Sequence, residues 1–231
     1  MVIGNGLIAQ AFHQYINNDN VLILASGVSS SKSCTEFDCN REEKLVKEAL
    51  GNCDEQTLCV YFSSCGIANP SLKNETYYVH KQRMESVIQK HSNKSVIFRL
   101  PYVVGSIGNP NTLFHYFVHK IKSKEKFDLW SGVRRNIIDI DDIVSITSYI
   151  IQNVFFENEI VNIANLKNNT IDEIVQEISN YLKIDAKYSV TECNDNYNVD
   201  ATKIEAIVRD IGLDFGDNYL KGIVKKYCNN V

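Results

Sequence analysis

The chain has 231 residues, of which 44% are apolar and 23% charged, and its formal net charge is −4. This length suits one large domain, or a nucleotide-binding core with a small second lobe. The acidic balance, without any basic stripe, argues against nucleic acid as a partner. The longest apolar runs, such as residues 21–25 and 59–62, are far too short to span a membrane.

Cysteine usage indicates a reducing compartment. The chain has seven cysteines, an odd number, and no C-x-x-C pair. No charged segment followed by an apolar one opens the sequence, so a secretory signal is not expected. We therefore expect a cytoplasmic protein with free thiols and no metal site.

Hydrophobic periodicity predicts strands that alternate with helices along the chain. An apolar start at 1–3 is followed by a helix at 7–17, and Thr170 with Glu173 predicts a capping box before another helix. Such alternation predicts an α/β fold with a mainly parallel sheet and helices on both faces. The remaining predicted strands are 21–25, 57–63, 95–100 and 159–163, and the remaining helices are 40–50, 77–91, 112–122, 142–153, the stretch after the capping box, and two short ones within 201–226.

A glycine turn joins the first predicted strand to the first helix. Gly4-x-Gly6-x-x-Ala9 would let backbone N–H groups approach a diphosphate at a helix N-terminus. A tight turn without any ligand explains the same residues, and the pattern alone leaves both interpretations open.

Tyr77 and Lys81 are four residues apart on a predicted helix, so both side chains lie on one face. An ammonium beside a phenol favours the phenolate and lowers the pKa of the phenol. Tyr77 could then exchange a proton with a carbonyl oxygen. Ser64, at the end of a buried strand, could hold the same oxygen. The order of strand, serine, helix with tyrosine and lysine, and strand is more specific than the pair alone.

Taken together, these stretches resemble the extended short-chain dehydrogenase/reductase family, in its nucleotide-sugar branch. Residues 2–9 look like the family's first strand and glycine turn, 61–64 like its strand ending in a catalytic Ser or Thr, and 77–81 match its Y-x-x-x-K. Residues 98–105 are similar to R-x-x-N-V-Y-G, 132–142 to G-x-x-R-R-x-F-I-H-V-D-D, and 161–164 also fit.

The resemblance implies a Rossmann-type doubly wound sheet with a small α+β substrate lobe. It implies a core at 1–105 and a lobe at 106–231, with about 136–165 returning to the core. It also implies a cytoplasmic homodimer that binds NAD or NADP and a nucleotide sugar. The implied catalytic residues are Ser64, Tyr77 and Lys81; the implied cofactor-binding residues are Gly4, Asn5, Gly6, Leu7, Ile8, Ala25, Ser26, Gly27, Asn40, Tyr77, Lys81 and Pro101; the implied substrate-binding residues are Cys65, Asn111, Trp130 and Arg135.

The family's second strand ends in an acidic residue, whereas residues 21–25 lead into Ser26 and Gly27. Ser26, Ser30 and Lys32 could receive an NADP 2′-phosphate. We prefer the interpretation that this strand resembles the family's fourth strand, so that two usual strands are absent and the adenosine subsite is reduced. On that interpretation Asn40 could complete an Asn–Ser–Tyr–Lys tetrad; a helix N-cap explains it equally well.

Several candidates have competing structural explanations. Arg135 would contact a diphosphate or pair with a neighbouring Asp. Trp130 would stack on a base or pack in the core. Cys65 is more simply a buried thiol than a nucleophile, and His80 a packing or surface residue rather than a base. N-capping explains Asp141 and Asp142 better than metal binding does.

These features favour an NAD(P)-dependent reductase of an NDP-4-keto-deoxy-sugar. The alternative within enzymes is an epimerase or dehydratase with tightly bound NAD. The dehydratase pattern is disfavoured because no Asp-Glu pair follows Ser64. The alternative from another class is a non-catalytic protein that senses a nucleotide.

Overall fold

The computed structural model describes residues 1–28, 34–106, 112–193, 195 and 197–230. These residues form two compact units. One comprises Met1–Leu100 and Val144–Ile163, and the other comprises Pro101–Ile143 and Ala164–Val231. The long helices α2 to α6 are Glu36–Gly51, Thr76–His91, Leu113–Lys122, Ile140–Asn153 and Ile171–Leu182; the short helices α1, α7 and α8 are Leu7–Ala11, Glu205–Asp210 and Tyr219–Tyr227.

The first unit is built on a parallel sheet of five strands in the order β1-β2-β3-β4-β9. Its strands are β1 at Val2–Ile3, β2 at Val21–Leu24, β3 at Leu58–Ser64, β4 at Lys94–Leu100 and β9 at Glu159–Asn162. The Rossmann strand order is 3-2-1-4-5-6. In the described chain β1 pairs directly with β2, which is the arrangement that the predicted shortening requires.

Helices cover both faces of this sheet. On one face Tyr61 of β3 packs with Val46 of α2 and Met84 of α3. The next residue along β3, Phe62, points to the other face, where its ring centroid lies 5.1 Å from that of Phe12 at the end of α1. The predicted Rossmann-type α/β fold is therefore confirmed.

The second unit has a helical core and three short strand pairs. Buried residues of α4, α6 and α8 form one apolar cluster with Phe127 and Leu129. The paired strands are β5 at Tyr102–Val104 with β8 at Ile137–Asp139, β6 at Phe127–Ser131 with β11 at Tyr188–Glu192, and β7 at Arg134–Arg135 with β10 at Asn169–Thr170.

Local capping explains where two helices begin. The predicted box at Thr170 and Glu173 is present. A second box, Thr35 with Asp38, starts α2 four residues earlier than its periodicity indicated, at Glu36. The first helix is shorter than predicted, because it ends at Ala11 and continues as a 3₁₀ turn at His13–Tyr15. Within the described ranges, no helix combines the length and apolarity that a bilayer crossing requires.

Candidate active site

Strand β3 ends at Ser64, whose side chain then caps a 3₁₀ turn. The Ser64 hydroxyl accepts a hydrogen bond from the Gly66 N–H at 3.2 Å. A Cβ on Gly66 would lie 2.3 Å from the Tyr78 ring, so only glycine allows the turn to pack this closely against α3. Tyr78 in turn packs edge-on against Tyr77, with centroids 5.0 Å apart. This packing ties the turn that carries Ser64 to the start of the helix that carries Tyr77 and Lys81.

The Lys81 ammonium is buried in a cluster of acceptors. Its Nζ donates to Glu42 Oε1 at 3.0 Å, to the Tyr61 hydroxyl at 2.9 Å and, over a longer 3.4 Å, to the Phe62 carbonyl. An ammonium has three protons, so its donor capacity is filled. The side chain is 4% exposed, and that of Glu42 is 1% exposed.

Glu42 is the centre of this buried network. Its carboxylate also accepts from the Tyr61 hydroxyl at 2.7 Å, bonds His80 Nε2 at 3.0 Å and accepts from the Val28 N–H at 3.3 Å. Burial opposes ionisation of Glu42, but the His80 hydrogen bond and the Lys81 charge hold its pKa well below the usual range. Burial likewise disfavours a charged Lys81, yet Tyr61 and Glu42 hold the pKa of Lys81 above its ordinary value. The pair is therefore ionised across the physiological range.

Tyr77 stands beside this network without joining it. Its ring centroid is 5.9 Å from Lys81 Nζ, and its hydroxyl makes no hydrogen bond to any described residue. Burial raises the pKa of Tyr77, and the negative charges of Glu42 and Cys34 raise it further. The expected lowering of this pKa by Lys81 is thus wrong, because burial, the largest cause, and the nearby charge of Glu42 both raise it.

The glycine turn contains a position that only glycine can occupy. Gly4 has φ +135°, and a Cβ there would lie 2.3 Å from the Ala25 carbonyl oxygen. A Cβ on Gly6 would meet no atom within 4 Å, and Gly6 is exposed at the N-cap of α1. Asn5 is exposed beside it, and Leu7 and Ile8 begin the helix half-buried. The turn thus leaves open space over the unpaired N–H groups of a helix start.

The segment after β2 lies close to both parts of the site. Ala25 and Ser26 touch Gly4, while a Cβ on Gly27 would lie 2.5 Å from Lys81 Nζ and 3.1 Å from Glu42 Oε1. The Ser26 hydroxyl is buried with no hydrogen-bond partner in the described chain. An orphaned hydroxyl next to an open glycine turn fits a polar ligand such as the dinucleotide diphosphate. Lys81 fits a cofactor ribose least well, because all three of its protons already have acceptors within the protein.

Helix α2 supplies a different residue to this network than the sequence suggested. Asn40 is exposed within α2, and Thr35 is the N-cap, so the N-cap interpretation of Asn40 is wrong. Glu42, two residues further along, is the α2 residue that reaches Lys81. His80 is buried against Glu42, which matches the packing alternative and not the surface one. A charged residue within the apolar stripe of α2 was the only signal for Glu42 in the sequence.

Cys65, a candidate substrate contact, is buried. Its Sγ lies 3.2 Å from the Arg99 carbonyl oxygen, and burial raises the pKa of its thiol. Arg99 itself forms a two-bond ion pair with Glu85, at 2.8 and 2.6 Å. The region behind the Ser64 turn is therefore a closed polar cluster, and Cys65 is an inert thiol.

The other candidates belong to the second unit. Arg135 pairs with Asp195 at 2.8 Å and is 15% exposed, so its ion pair is present, with an Asp distant in sequence. Trp130 is 52% exposed on β6, which rules out core packing. Pro101 is half-buried between β4 and β5. Asn111, like Ser30 and Lys32, lies outside the described residues.

Asp139, Asp141 and Asp142 bind side chains at the start of α5. Asp139 accepts from the Asp141 N–H at 3.0 Å and from the Tyr227 hydroxyl at 2.6 Å. Asp142 accepts from the Tyr219 hydroxyl at 2.6 Å. Within the second unit, these carboxylates attach α8 to the end of β8 and to the residues that begin α5. Asp139, rather than Asp141 or Asp142, supplies the helix-start contact.

Comparisons with known proteins agree with this architecture. Residues 57–164 match the family described as NAD dependent epimerase/dehydratase family, which confirms the family resemblance over that stretch. A search of curated protein sequences finds no match.

Among solved structures, dTDP-glucose 4,6-dehydratase from Bacillus anthracis, in complex with NAD, is 15% identical to this chain and superposes with a TM-score of 0.68. The match covers 96% of this chain and 76% of the dehydratase chain. UDP-glucuronic acid 4-epimerase from Bacillus cereus, in complex with UDP-glucuronic acid and NAD, is 16% identical with a TM-score of 0.70, covering 98% and 78%. RMD from Pseudomonas aeruginosa, complexed with NADPH, is 12% identical with a TM-score of 0.70, covering 92% and 82%. At these identities the likeness establishes the fold.

Proposed function

We propose that this chain, whose residues 57–164 match the NAD dependent epimerase/dehydratase family, is an NAD(P)-dependent reductase of a nucleotide-linked keto-sugar. The similar structures were solved with NAD, NADPH or a UDP-sugar. In such an enzyme the reduced nicotinamide supplies the hydride. The residues of this chain bind the cofactor, orient the substrate carbonyl and supply the proton.

The choice of reductase rests on the raised pKa of Tyr77, which favours its protonated form. Reduction of a carbonyl needs an acid that gives a proton to the oxygen, and a phenol with a raised pKa is present in that form. An epimerase begins by oxidising an alcohol, which needs a phenolate to accept the proton. Glu42, whose charge raises the pKa of Tyr77, favours the acid.

The remaining residues have supporting roles in this proposal. Ser64, at the carboxyl end of β3, positions the carbonyl oxygen by hydrogen bonding. Gly4, Asn5 and Gly6 hold the cofactor diphosphate, with Ser26 as a further donor. Lys81 meets the nicotinamide ribose by giving up its longest contact, the 3.4 Å bond to the Phe62 carbonyl.

The second candidate, an epimerase or dehydratase with tightly held NAD, is separated from the first by one experiment. Purified protein is assayed for bound dinucleotide and then mixed with NAD(P)H and an NDP-4-keto-deoxy-sugar. Net oxidation of NAD(P)H that matches the keto-sugar consumed supports the reductase. Bound NAD with sugar conversion but no net NAD(P)H oxidation would favour the epimerase. Absence of binding to either dinucleotide would leave the non-catalytic alternative.

A further inference from the structure

Two thiols that the proposed reaction does not use touch each other at the start of α2. The sulfur atoms of Cys34 and Cys39 are 3.2 Å apart, and both residues are half-buried. A disulfide bond is about 2.05 Å long. An approach of roughly 1 Å would therefore convert this contact into a covalent bond.

The helix start itself brings the two cysteines together. Thr35 is the N-cap, and its side chain and that of Asp38 form the reciprocal bonds of a capping box. In such a start, the residue before the cap packs against the fourth residue of the helix. Cys34 and Cys39 occupy these two positions, so the contact follows from the helix cap.

The two thiols differ in environment. Burial and the hydrogen bond to Cys34 raise the pKa of Cys39 to about 12. Cys34 immediately precedes Thr35, the N-cap of the 16-residue helix α2. Cys34 is therefore the sulfur that reacts first, and Cys39 is the one that resolves the product.

This pair borders the candidate active site. The charge of Cys34 is close enough to raise the pKa of Tyr77. Glu42 follows Cys39 by three residues on α2, which places both on one side of the helix. Oxidation of the two thiols would therefore change the electrostatic surroundings of the groups around Lys81.

From this geometry we infer that Cys34 and Cys39 form a reversible redox site, which a hydroperoxide oxidises to an intramolecular disulfide. The Cys34 thiolate attacks the peroxide O–O bond, giving a sulfenic acid and releasing hydroxide. The Cys39 sulfur then attacks the Cys34 sulfur, the S–S bond forms and water leaves. In total two thiols lose two electrons and two protons, and hydrogen peroxide becomes two water molecules. A dithiol reductant reverses the change.

Peptide mapping of the whole protein tests this site. Reduced protein is treated with one equivalent of hydrogen peroxide, alkylated and digested with trypsin, which cuts after Lys32 and Arg41 and so releases both cysteines on one peptide. We expect that peptide to escape alkylation, to weigh two hydrogens less, and to regain both alkylation sites after dithiothreitol. A peptide that stays doubly alkylated while the exposed Cys193 is oxidised would overturn the inference.

Single variants distinguish the two roles. In Cys39→Ser, oxidation should stop at a sulfenic acid on Cys34 that dimedone traps, with at least tenfold more adduct than Cys39 gives in Cys34→Ser. The control Cys193→Ser should form the internal disulfide as the parent protein does. Equal trapping in the two single variants, or bond formation only between molecules, would contradict the proposed site. None of these readouts depends on the proposed reductase activity.

Discussion

At the scale of single residues, the buried carboxylate of Glu42 determines what the tyrosine–lysine pair can do. Four groups donate to it or pair with it: Tyr61, His80, Lys81 and the Val28 N–H. Burial and the charge of Glu42 together raise the pKa of Tyr77, which favours the protonated phenol. The spacing of Tyr77 and Lys81 identified the pair, but the partner that sets its protonation comes from another helix.

Replacing Glu42 should destabilise the protein strongly. In Glu42→Gln the ammonium of Lys81 stays buried without a counter-charge, which costs about 3–5 kcal/mol of unfolding free energy. Urea denaturation measures the change. Glu48→Gln, on the same helix, removes only an exposed pair with Lys44 at 3.8 Å and should cost less than about 1 kcal/mol. Equal losses of unfolding free energy in the two variants would show that the buried Glu42–Lys81 pair contributes no more to stability than an exposed pair.

The same carboxylate should make stability depend on acid. The pKa of Glu42 in the folded protein is lowered, so its contribution is complete above the unfolded value of about 4.3 and is lost as pH falls below that value. The gap in unfolding free energy between parent and Glu42→Gln should therefore be constant from about pH 5 to 8 and narrow below about pH 4. A gap that widens in acid would contradict this assignment.

Among the secondary-structure elements, the glycine turn holds one glycine that its backbone requires and a second that we propose binds the cofactor. Gly4→Ala places a methyl on the Ala25 carbonyl at positive φ and should cost at least about 2 kcal/mol of stability. Gly6→Ala enters open space and should change stability by less than about 1 kcal/mol. It should nevertheless weaken NAD(P)H binding at least tenfold, as measured by calorimetry. Unchanged binding in a folded Gly6→Ala would remove the turn from the cofactor site.

The order of the sheet explains an unusual pair of connections. The chain moves along the sheet in one direction from β1 to β2 to β3, yet α1 packs on the Phe62 face and α2 on the Tyr61 face. Both connections move the chain one strand further in the same direction, but their helices lie on opposite faces of the sheet. The two connections must therefore have opposite handedness. The α1 connection keeps a Rossmann-like position, but the described sheet lacks the two strands that would make this connection right-handed.

Long periodic elements could be predicted from sequence, whereas short ones could not. The stripes of α3 and α6 and the apolar runs of β3 and β4 each bury enough side chains to be recognised. The two-residue strands β7 and β10 carry no period, and they form because their partners are brought together by the lobe's helical core. The same holds for the candidate site. The spacing of Tyr77 and Lys81 is visible in the sequence, whereas the contacts of Glu42 with His80 and Lys81 arise only when two helices pack together.

For the molecule as a whole, the absence of two usual strands from the described sheet should weaken the discrimination between NADH and NADPH. In the described chain β1 is the edge strand, so the strands that would carry an acidic or basic group for the adenosine ribose do not stand beside it. We expect the Kd values for NADH and NADPH to differ by less than tenfold, about 1.4 kcal/mol. A preference of a hundredfold, seen by fluorescence titration, would show that a dedicated 2′ subsite exists.

The central claim is that Tyr77 delivers the proton in a nicotinamide-dependent reduction, and its most direct test is the single-turnover rate of Tyr77→Phe. NAD(P)H oxidation by an NDP-4-keto-deoxy-sugar is followed by the absorbance of the reduced nicotinamide in parent and variant. We expect a rate about 10²- to 10⁴-fold lower in the variant, with the cofactor Kd unchanged. A variant that turns over at the parent rate, or a parent protein that binds neither NADH nor NADPH, would contradict it.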